Sequence, residues 1–375
     1  MHLNDQQDSA AALRRSLVIS GLGAGLIFGT AAALHGPSLP IHAARFGLSL
    51  PEAGLIVSLH WFGACTAVFA LILGLRMGAR MALGLIASGA CLIALGVNWP
   101  VTLLGAILIG CGQGLSSAIF NSRFLAEFGA RGPSFLGLSN AFFGLGSIFG
   151  PLALVAFGSE PRAVFAIVAV ISVLLWPVAT PARAEPAGTG RASLPVLRGR
   201  WLLLAGSVAV ALEAGLAGLG PAALMAQGVS QQGAAFYASG FFAAFLLSRL
   251  SLFWLAPLIP ARRLLLGGLG GAALAAAGAA LIAPGAFFVL SGACVGVLFP
   301  GYFVLSTQVL GPGTRIASML VAAALVGGAL GPTALGLGMV GLGEGAFFAL
   351  VCGLSVLATV AVALCVPAPA RAEDT

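Results

Sequence analysis

The stretch WLLLAGSVAVALEAGLAGLGPAAL, from Trp201 to Leu224, is long and apolar enough to cross a membrane, and it carries one carboxylate, Glu213. At helical rise Glu213 lies about 18 Å from Trp201, near the middle of a bilayer core about 30 Å thick. An ionisable group at that depth costs about 2.5–3.5 kcal/mol, so it usually faces a partner or a water-filled cavity. The rest of the chain indicates what kind of membrane protein needs it.

The composition predicts an integral membrane protein. Of the 375 residues, 60% are hydrophobic and 7% are charged, with a mean hydropathy of +1.09. A soluble domain would carry about 25% charged residues. The net charge of +7 rests on 17 basic residues, all arginine and without a basic stripe, so we expect no nucleic-acid partner. The excess of Arg, Ala and Gly is typical of GC-rich bacterial genomes.

The six cysteines show neither metal nor disulfide spacing, and no metal site is expected.

Apolar runs separated by Arg, Pro and Gly predict twelve membrane spans. The first begins LRRSLVISGLG and resembles a twin-arginine export signal, but the chain after it never becomes soluble, so we interpret it as an uncleaved span. The predicted spans are 16–36, 51–73, 81–97, 101–121, 136–157, 162–179, 201–224, 233–256, 264–282, 286–308, 317–339 and 345–366. The longest polar break predicts an N-terminal six-helix bundle over 1–180, a cytoplasmic linker over 181–200 and a C-terminal six-helix bundle over 201–375.

The arginines predict the orientation of these spans. If the N-terminus is cytoplasmic, fifteen arginines fall in cytoplasmic segments, and only Arg45 and Arg162 fall outside. Cytoplasmic loops of membrane proteins carry this excess of positive charge. We therefore expect an even number of spans, with both termini on the cytoplasmic side.

The two halves of the sequence repeat. Gly150-Pro151 matches Gly331-Pro332 at an offset of 181, whereas Gly110 matches Gly292 and Arg80 matches Arg262 at an offset of 182. A near-constant offset over six spans predicts two parallel repeats. In transporters built this way the substrate site lies between the repeats, near the bilayer midplane.

With these features the chain resembles the major facilitator superfamily of transporters over essentially its whole length. The loop GLRMGAR, Gly74–Arg80, is similar to the family's Gly/Arg loop, with Leu75 where the family has an acidic residue. In the second half, SRL at Ser248–Leu250 and PARR at Pro260–Arg263 are similar to the equivalent loop. The resemblance implies two pseudo-symmetric bundles that work by alternating access. Its candidates for conformational loop residues are Gly74, Arg76, Gly78, Arg80, Arg249, Arg262 and Arg263.

Within the superfamily, the chain most resembles the fucose permease and glucose/galactose transporter branch. The segments that carry this likeness are Gly110–Phe124, Leu136–Pro151, Val295–Phe303 and Leu325–Pro332. Glu213 falls where the branch often has a glutamate in span seven. The chain departs from the branch in two places. His35-Gly36 replaces an Asn-Asp pair in span one, and Ser117 replaces a glutamate in span four, so the branch's proton-carrying carboxylates are missing.

A second likeness favours export. Gly137, Gly146, Gly150 and Pro151 fit the G-x8-G-x3-G-P pattern of the fifth span in drug/proton antiporters. Glycines at this spacing allow close helix contact, and proline removes one backbone hydrogen bond. Because importers use the same packing, this pattern alone does not separate the two directions of transport.

Three residues are candidates for proton coupling: Glu213, His60 and His35. A carboxyl group withdrawn from water can exchange protons near neutrality, and histidine titrates close to physiological pH. The structural alternative for Glu213 is a protonated side chain hydrogen-bonded between helices. For the histidines the alternatives are helix–helix hydrogen bonds and, above all for His35, a position at the membrane interface.

Candidates for substrate contact are polar or aromatic residues inside predicted spans. Amides and amphipathic rings suit sugars and aromatic solutes, but interhelical hydrogen bonds and packing would also retain them. The candidates are Asn121, Asn140, Gln113, Trp61, Tyr237 and Tyr302.

The sequence contains no hydrolase or zinc-protease motif, no phosphate-binding GKS/T and no carboxylate cluster, so we expect neither an enzyme nor a cofactor. The interpretation is a monomeric transporter in the bacterial cytoplasmic membrane that moves a small organic solute, such as a sugar, together with protons. The runner-up is a proton-driven exporter of drugs or metabolites. A membrane sensor built on a transporter fold is a third alternative, although no soluble signalling domain accompanies it.

Overall fold

The structure is a computed structural model that describes residues 2–179, 196–256, 258–311 and 314–366. In these residues thirteen α-helices and two short 3-10 turns follow one another. The helices are α1 (His2–Phe46), α2 (Leu50–Ile72), α3 (Ala79–Leu95), α4 (Trp99–Phe128), α5 (Gly132–Ala156), α6 (Pro161–Leu175), α7 (Val196–Ala226), α8 (Gln231–Leu255), α9 (Ala261–Leu281), α10 (Pro284–Gly296), α11 (Leu298–Leu310), α12 (Thr314–Leu342) and α13 (Phe347–Cys365).

Twelve of the described segments have the character of membrane spans. Ten are long and apolar enough to cross a bilayer, and one of these, Pro284–Leu310, comprises both α10 and α11. The shorter helices α3 and α6 are also apolar, and their 17 and 15 residues rise about 26 and 22 Å. The predicted fold class, an all-helical membrane protein with twelve spans, is confirmed.

Several helices extend beyond their predicted ends. Span one was predicted to end at residue 36, but α1 continues through Pro37 and Pro40 to Phe46. Proline removes a helical hydrogen bond, yet membrane helices tolerate it where neighbouring groups satisfy the freed carbonyl. In the same way α4 continues to Phe128 instead of ending near residue 121, so that Arg123 lies within a helix and pairs with Glu127 at 3.6 Å.

The chain forms two compact units. The first comprises Met1–His35 and Leu59–Pro186, and the second comprises Gly36–Ser58 and Ala187–Thr375. The predicted boundaries at residues 180 and 200 stay a prediction, because residues 180–195 lie outside the described part of the chain.

Glycines bring helices of the first unit into direct backbone contact. A Cβ atom at Gly146 of α5 would overlap the carbonyl of Leu26 in α1, and one at Gly150 would come within 2.7 Å of the Thr30 carbonyl oxygen. On α4, a Cβ at Gly110 would overlap the His60 carbonyl of α2. These positions accept only glycine without movement of a helix backbone.

The second unit repeats these contacts with different residues. Gly327 of α12 packs on the carbonyl of Ser207 in α7, just as Gly146 packs on Leu26. Gly292 of α10 packs on the carbonyl of Phe241 in α8, just as Gly110 packs on His60. Both partners in each pair are shifted by 181 or 182 residues, the offset found in the sequence. The predicted pseudo-symmetry is therefore confirmed at the level of individual contacts.

Two arginines at equivalent positions of the two units hydrogen-bond the start of one helix to the end of another. Arg80, at the start of α3, donates from Nε to the carbonyl of Ala179, just after α6, at 3.0 Å. Arg262, at the start of α9, donates from Nη2 to the carbonyl of Ala363 near the end of α13 at 2.8 Å. A cation beside the last carbonyls of a helix also interacts favourably with the helix dipole.

Candidate functional site

The charged pair of the second unit lies inside the apolar helices. Glu213 lies near the middle of α7, and Nη2 of Arg249 in α8 donates to Oε2 of Glu213 at 3.3 Å. The guanidinium therefore supplies the partner that an intramembrane carboxylate needs, and the pair has no net charge when Glu213 is ionised.

Two further contacts position Arg249. Its Nε donates to the carbonyl of Gly296 at 3.1 Å, and its guanidinium carbon lies 4.1 Å from the centre of the Phe245 ring. The Gly296 carbonyl lacks the usual helical partner because Pro300, four residues later, has no N–H. Pro300, in the first turn of α11, thus leaves an acceptor that anchors the arginine.

The Glu213–Arg249 ion pair is partly exposed. The side chain of Glu213 is 16% exposed and that of Arg249 is 27% exposed. Charged groups in membrane spans face a water-filled space or a protein partner, since contact with lipid is costly. The ion pair is therefore buried for the most part and exposed at one edge on the surface of the second unit.

The position of Arg249 settles an inconsistency in the sequence analysis, which put this residue inside the predicted span 233–256 and also counted it among the cytoplasmic arginines and the conformational loop residues. Arg249 is inside α8, six residues before the helix ends at Leu255. The apolar residues on both sides of it, FFAAFLLSRLSLFWL, are the sequence feature that indicates this position. The prediction treated a single arginine near the end of a span as a positive-inside residue, but its actual partner is Glu213.

The first unit contains a chain of polar side chains across α1, α2 and α4. Nε2 of His35 lies 3.3 Å from Nδ1 of His60, and Nε2 of His60 lies 2.7 Å from Oε1 of Gln113. Both histidines are buried. The three residues were predicted separately, two as proton-coupling candidates and Gln113 as a substrate ligand, and the structure brings them together.

The amide of Gln113 sets the direction of hydrogen bonding along this chain. If its Oε1 accepts from Nε2–H of His60, the Nδ1 of His60 has a lone pair that accepts from Nε2–H of His35. The imidazole of His35 also packs edge-on against His60 and lies 5.7 Å from the Phe165 ring of α6.

His42 is a buried histidine that the sequence analysis missed. It lies in the part of α1 beyond residue 36, is 3% exposed, and its ring lies 6.3 Å from that of Phe46. Because the first span was predicted to end at residue 36, His42 fell outside every predicted span. It belongs to the second unit, apart from the His35–His60 pair of the first unit.

The remaining substrate candidates lie on four different helices. Asn121 is half-buried on α4, Asn140 is exposed on α5, and Trp61 is half-buried beside His60. Tyr237 of α8 is 39% exposed, and its ring packs on Gly285 of α10.

The geometry of Tyr302 favours packing. Tyr302 of α11 is fully buried, its ring packs on Gly206, and its hydroxyl donates to the Leu320 carbonyl at 3.1 Å. The hydroxyl is therefore engaged within the helix bundle, and the substrate role stays a prediction for Tyr237, Trp61 and the amides.

The loop candidates divide into anchored and exposed residues. Gly74 has a positive φ of 88°, which suits the tight turn after α2, and Gly78 precedes α3 with an extended backbone. Arg80 and Arg262 are tied to helix ends as described above, whereas Arg76 and Arg263 are exposed. Among the described residues, no group of three or more His, Cys, Asp or Glu side chains is arranged to hold a metal ion.

The comparison with protein families identifies the fold. The model of the Major Facilitator Superfamily matches residues 21–319, which is well over half of the chain. The chain belongs to the major facilitator superfamily. This membership makes the protein a multi-pass membrane transporter of small molecules and not an enzyme. The search of curated proteins finds no match.

Solved superfamily structures share the fold at low sequence identity. The D-xylose-proton symporter is 14% identical, over 94% of this chain and 98% of its own, with a TM-score of 0.75. The superfamily transporter FucP, in an outward conformation, is 18% identical over 94% and 100%, with a TM-score of 0.62. The nucleoside transporter NupG, as a mutant, is 14% identical over 95% and 100%, with a TM-score of 0.74. At these identities the likeness establishes the fold alone.

Proposed function

We propose that this superfamily member is a secondary active transporter that takes up a small polar organic solute together with protons, by alternating access. The observation that carries the proposal is the ion pair between Glu213 and Arg249, which lies within the apolar helices α7 and α8 and is partly exposed. A carboxylate in that setting can bind a proton on one side of the membrane and release it on the other, once the protein changes conformation.

The pair provides a physical link between proton binding and conformation. When Glu213 is ionised, Arg249 holds it against α8, and when Glu213 is protonated, that attraction is lost. An arginine side chain keeps its positive charge at physiological pH. Protonation therefore changes how α7 and α8 interact, which is the kind of change that a coupled transporter requires.

Uptake is favoured over export. The resemblance of Gly110–Phe124 and Leu136–Pro151 to the fucose permease branch supports proton-linked import of a polar solute, and a sugar is the first substrate class to test. The glycines of α5 that resemble the antiporter pattern are explained by packing, because Gly146 and Gly150 lie against α1 and their counterparts Gly327 and Gly331 lie against α7. They add no independent support for a drug/proton antiporter.

The proposed setting is the bacterial cytoplasmic membrane, with a monomeric protein and both termini in the cytoplasm. The excess of arginine on one side of the predicted spans supports this orientation. Reporter fusions at the C-terminus and in the segment 181–195 test it. A periplasmic location of either would contradict the orientation.

Transport assays in proteoliposomes test the function. Counterflow is measured with a panel of radiolabelled sugars, sugar acids and nucleosides, followed by uptake with the outside more acidic than the inside. We expect one solute class to accumulate on an inward proton gradient, and we expect a protonophore to abolish accumulation. Expulsion of solute driven by the gradient would instead identify an antiporter, and counterflow insensitive to protons would identify a facilitator.

A further inference from the structure

We propose that the substrate carries a carboxylate, and that Arg249 binds this group when Glu213 takes up a proton. The inference rests on the proposed function and names the substrate class. The substrate would be a small organic monoanion, and each anion would travel with one proton.

The argument begins with the charge of the site. Arg249 is a permanent cation within α8, and its anionic partner in the described structure is Glu213. If Glu213 is protonated while a neutral solute occupies the site, an unpaired guanidinium remains inside the membrane, and such a charge is costly there. A substrate carboxylate removes this cost, because it restores one negative charge beside one positive charge.

The geometry leaves room for this exchange of partners. Arg249 meets Glu213 through one contact of 3.3 Å between Nη2 and Oε2, which is longer than a strong charge-assisted hydrogen bond of about 2.7–2.9 Å. Its Nε is already held by the Gly296 carbonyl, and its face by the Phe245 ring. The guanidinium is thus fixed independently of Glu213, and it keeps its place when the carboxylate leaves.

Among the described residues, the polar and ring contacts of the Glu213 and Arg249 side chains are with each other, with the Gly296 carbonyl and with the Phe245 ring. On α11, the hydroxyl of Tyr302 is engaged by the Leu320 carbonyl. Hydrophobic side chains pack against the glycines of α7: Leu335 contacts Gly215, Val57 contacts Gly218 and Phe288 contacts Gly220. Titratable or charged residues on described segments packed against α7 or next to them include Tyr237, Cys294, Cys352, Cys365, Glu344, His42, Arg45, Glu52, Arg262 and Arg263.

The charges balance over a transport cycle. In the empty site, ionised Glu213 neutralises Arg249. On the outer side a proton binds the Glu213 carboxylate and the substrate carboxylate binds Arg249, so the loaded site is again neutral. On the inner side the anion and the proton leave, and the Glu213–Arg249 contact forms again. One proton and one anion cross, and the process moves no net charge across the membrane.

A binding experiment tests the inference without knowledge of the natural substrate. The variant Glu213→Gln leaves Arg249 without its anion, and formate is the smallest carboxylate that can replace it. We expect sodium formate, but not formamide, to raise the Tm of purified Glu213→Gln by about 1–3 °C at ten times its Kd, and the Tm to keep rising with the logarithm of the formate concentration. The double variant Glu213→Gln/Arg249→Gln is the control for general salt effects, and its Tm should not respond.

Two results would overturn the inference. One is an equal change in the Tm of Glu213→Gln with formate and with formamide. The other is a rise in the Tm of the double variant with formate that equals the rise for Glu213→Gln. If Glu213→Gln does not fold, the parent protein is measured at mildly acidic and at neutral pH. Formate should then stabilise it only where Glu213 is protonated, and equal stabilisation at both pH values would also reject the proposal.

Transport of matched solutes separates this inference from the proposed function. D-Glucuronate and D-glucose share a pyranose ring and differ by a carboxylate, as do D-galacturonate and D-galactose. We expect proton-driven uptake of the acids only. Proton-driven uptake of the neutral sugars alone would keep the proposed function and reject the anion, whereas a formate response without any transport would keep the anion site and reject the function.

Discussion

Nδ1 of His60 lies 3.3 Å from Nε2 of His35, and this contact joins α1 to α2 in the interior of the first unit. The same His60 ring bonds to Gln113 of α4 through its other nitrogen. One imidazole therefore satisfies polar groups on two neighbouring helices, at a depth where water is not an alternative partner.

The first prediction concerns this network. We expect His60→Phe to lower stability by about 1–3 kcal/mol, because both Gln113 and His35 lose a hydrogen-bond partner. The measurement is the Tm of the purified protein in detergent. Phe62→Leu, two residues away on an exposed position, is the control, and its Tm should change little.

Since His35 and His60 act as a pair, the double variant His35→Leu/His60→Phe should lose less stability than the sum of the losses in the two single variants. Additive losses would show that the contact does not couple them.

The second prediction concerns the repeated glycine contacts. Gly327→Ala puts a methyl group onto the Ser207 backbone, which has to move, and we expect a loss of about 1–3 kcal/mol. Gly341→Ala, on the same helix but with nothing within 4 Å, should be neutral or slightly stabilising because alanine favours the helix. In the first unit, Gly146→Ala and Gly137→Ala form the matched pair, and thermal unfolding measures all four. Equal effects within a pair would show that helix propensity, and not packing, dominates.

The third prediction concerns the arginines at the helix ends. Arg80→Gln removes the cation beside the Ala179 carbonyl, and we expect a loss of about 0.3–2 kcal/mol. Arg262→Gln should behave in the same way at the end of α13. The exposed Arg76 provides the control, and Arg76→Gln should leave the Tm unchanged. If Arg76→Gln costs as much as Arg80→Gln, the effect is due to general surface charge.

These features differ in how far the sequence predicts them. Hydrophobic run length and the constant offset predict the twelve spans and the pseudo-symmetry, because both depend on local composition. The partner of Glu213 was not predicted, since pairing across α7 and α8 depends on where helices touch, and a single arginine near a span end also fits a loop. The predicted end of the first span was wrong, because proline breaks helices strongly in water and less strongly in a membrane.

The last prediction concerns the proton itself. Glu213→Gln keeps the size and hydrogen bonding of the side chain but cannot lose or gain a proton. We therefore expect it to abolish accumulation of solute on a proton gradient while it retains measurable exchange of solute across the membrane, since exchange needs no net proton movement. Counterflow and gradient-driven uptake are measured in the same proteoliposomes. The control is Gln308→Glu, which adds a carboxylate elsewhere in the second unit. Combined with Glu213→Gln, it should not restore accumulation of solute. If Glu213→Gln accumulates solute like the parent protein at every pH, the glutamate is structural, and the pair of His60 and His35 becomes the site at which protons are coupled to transport.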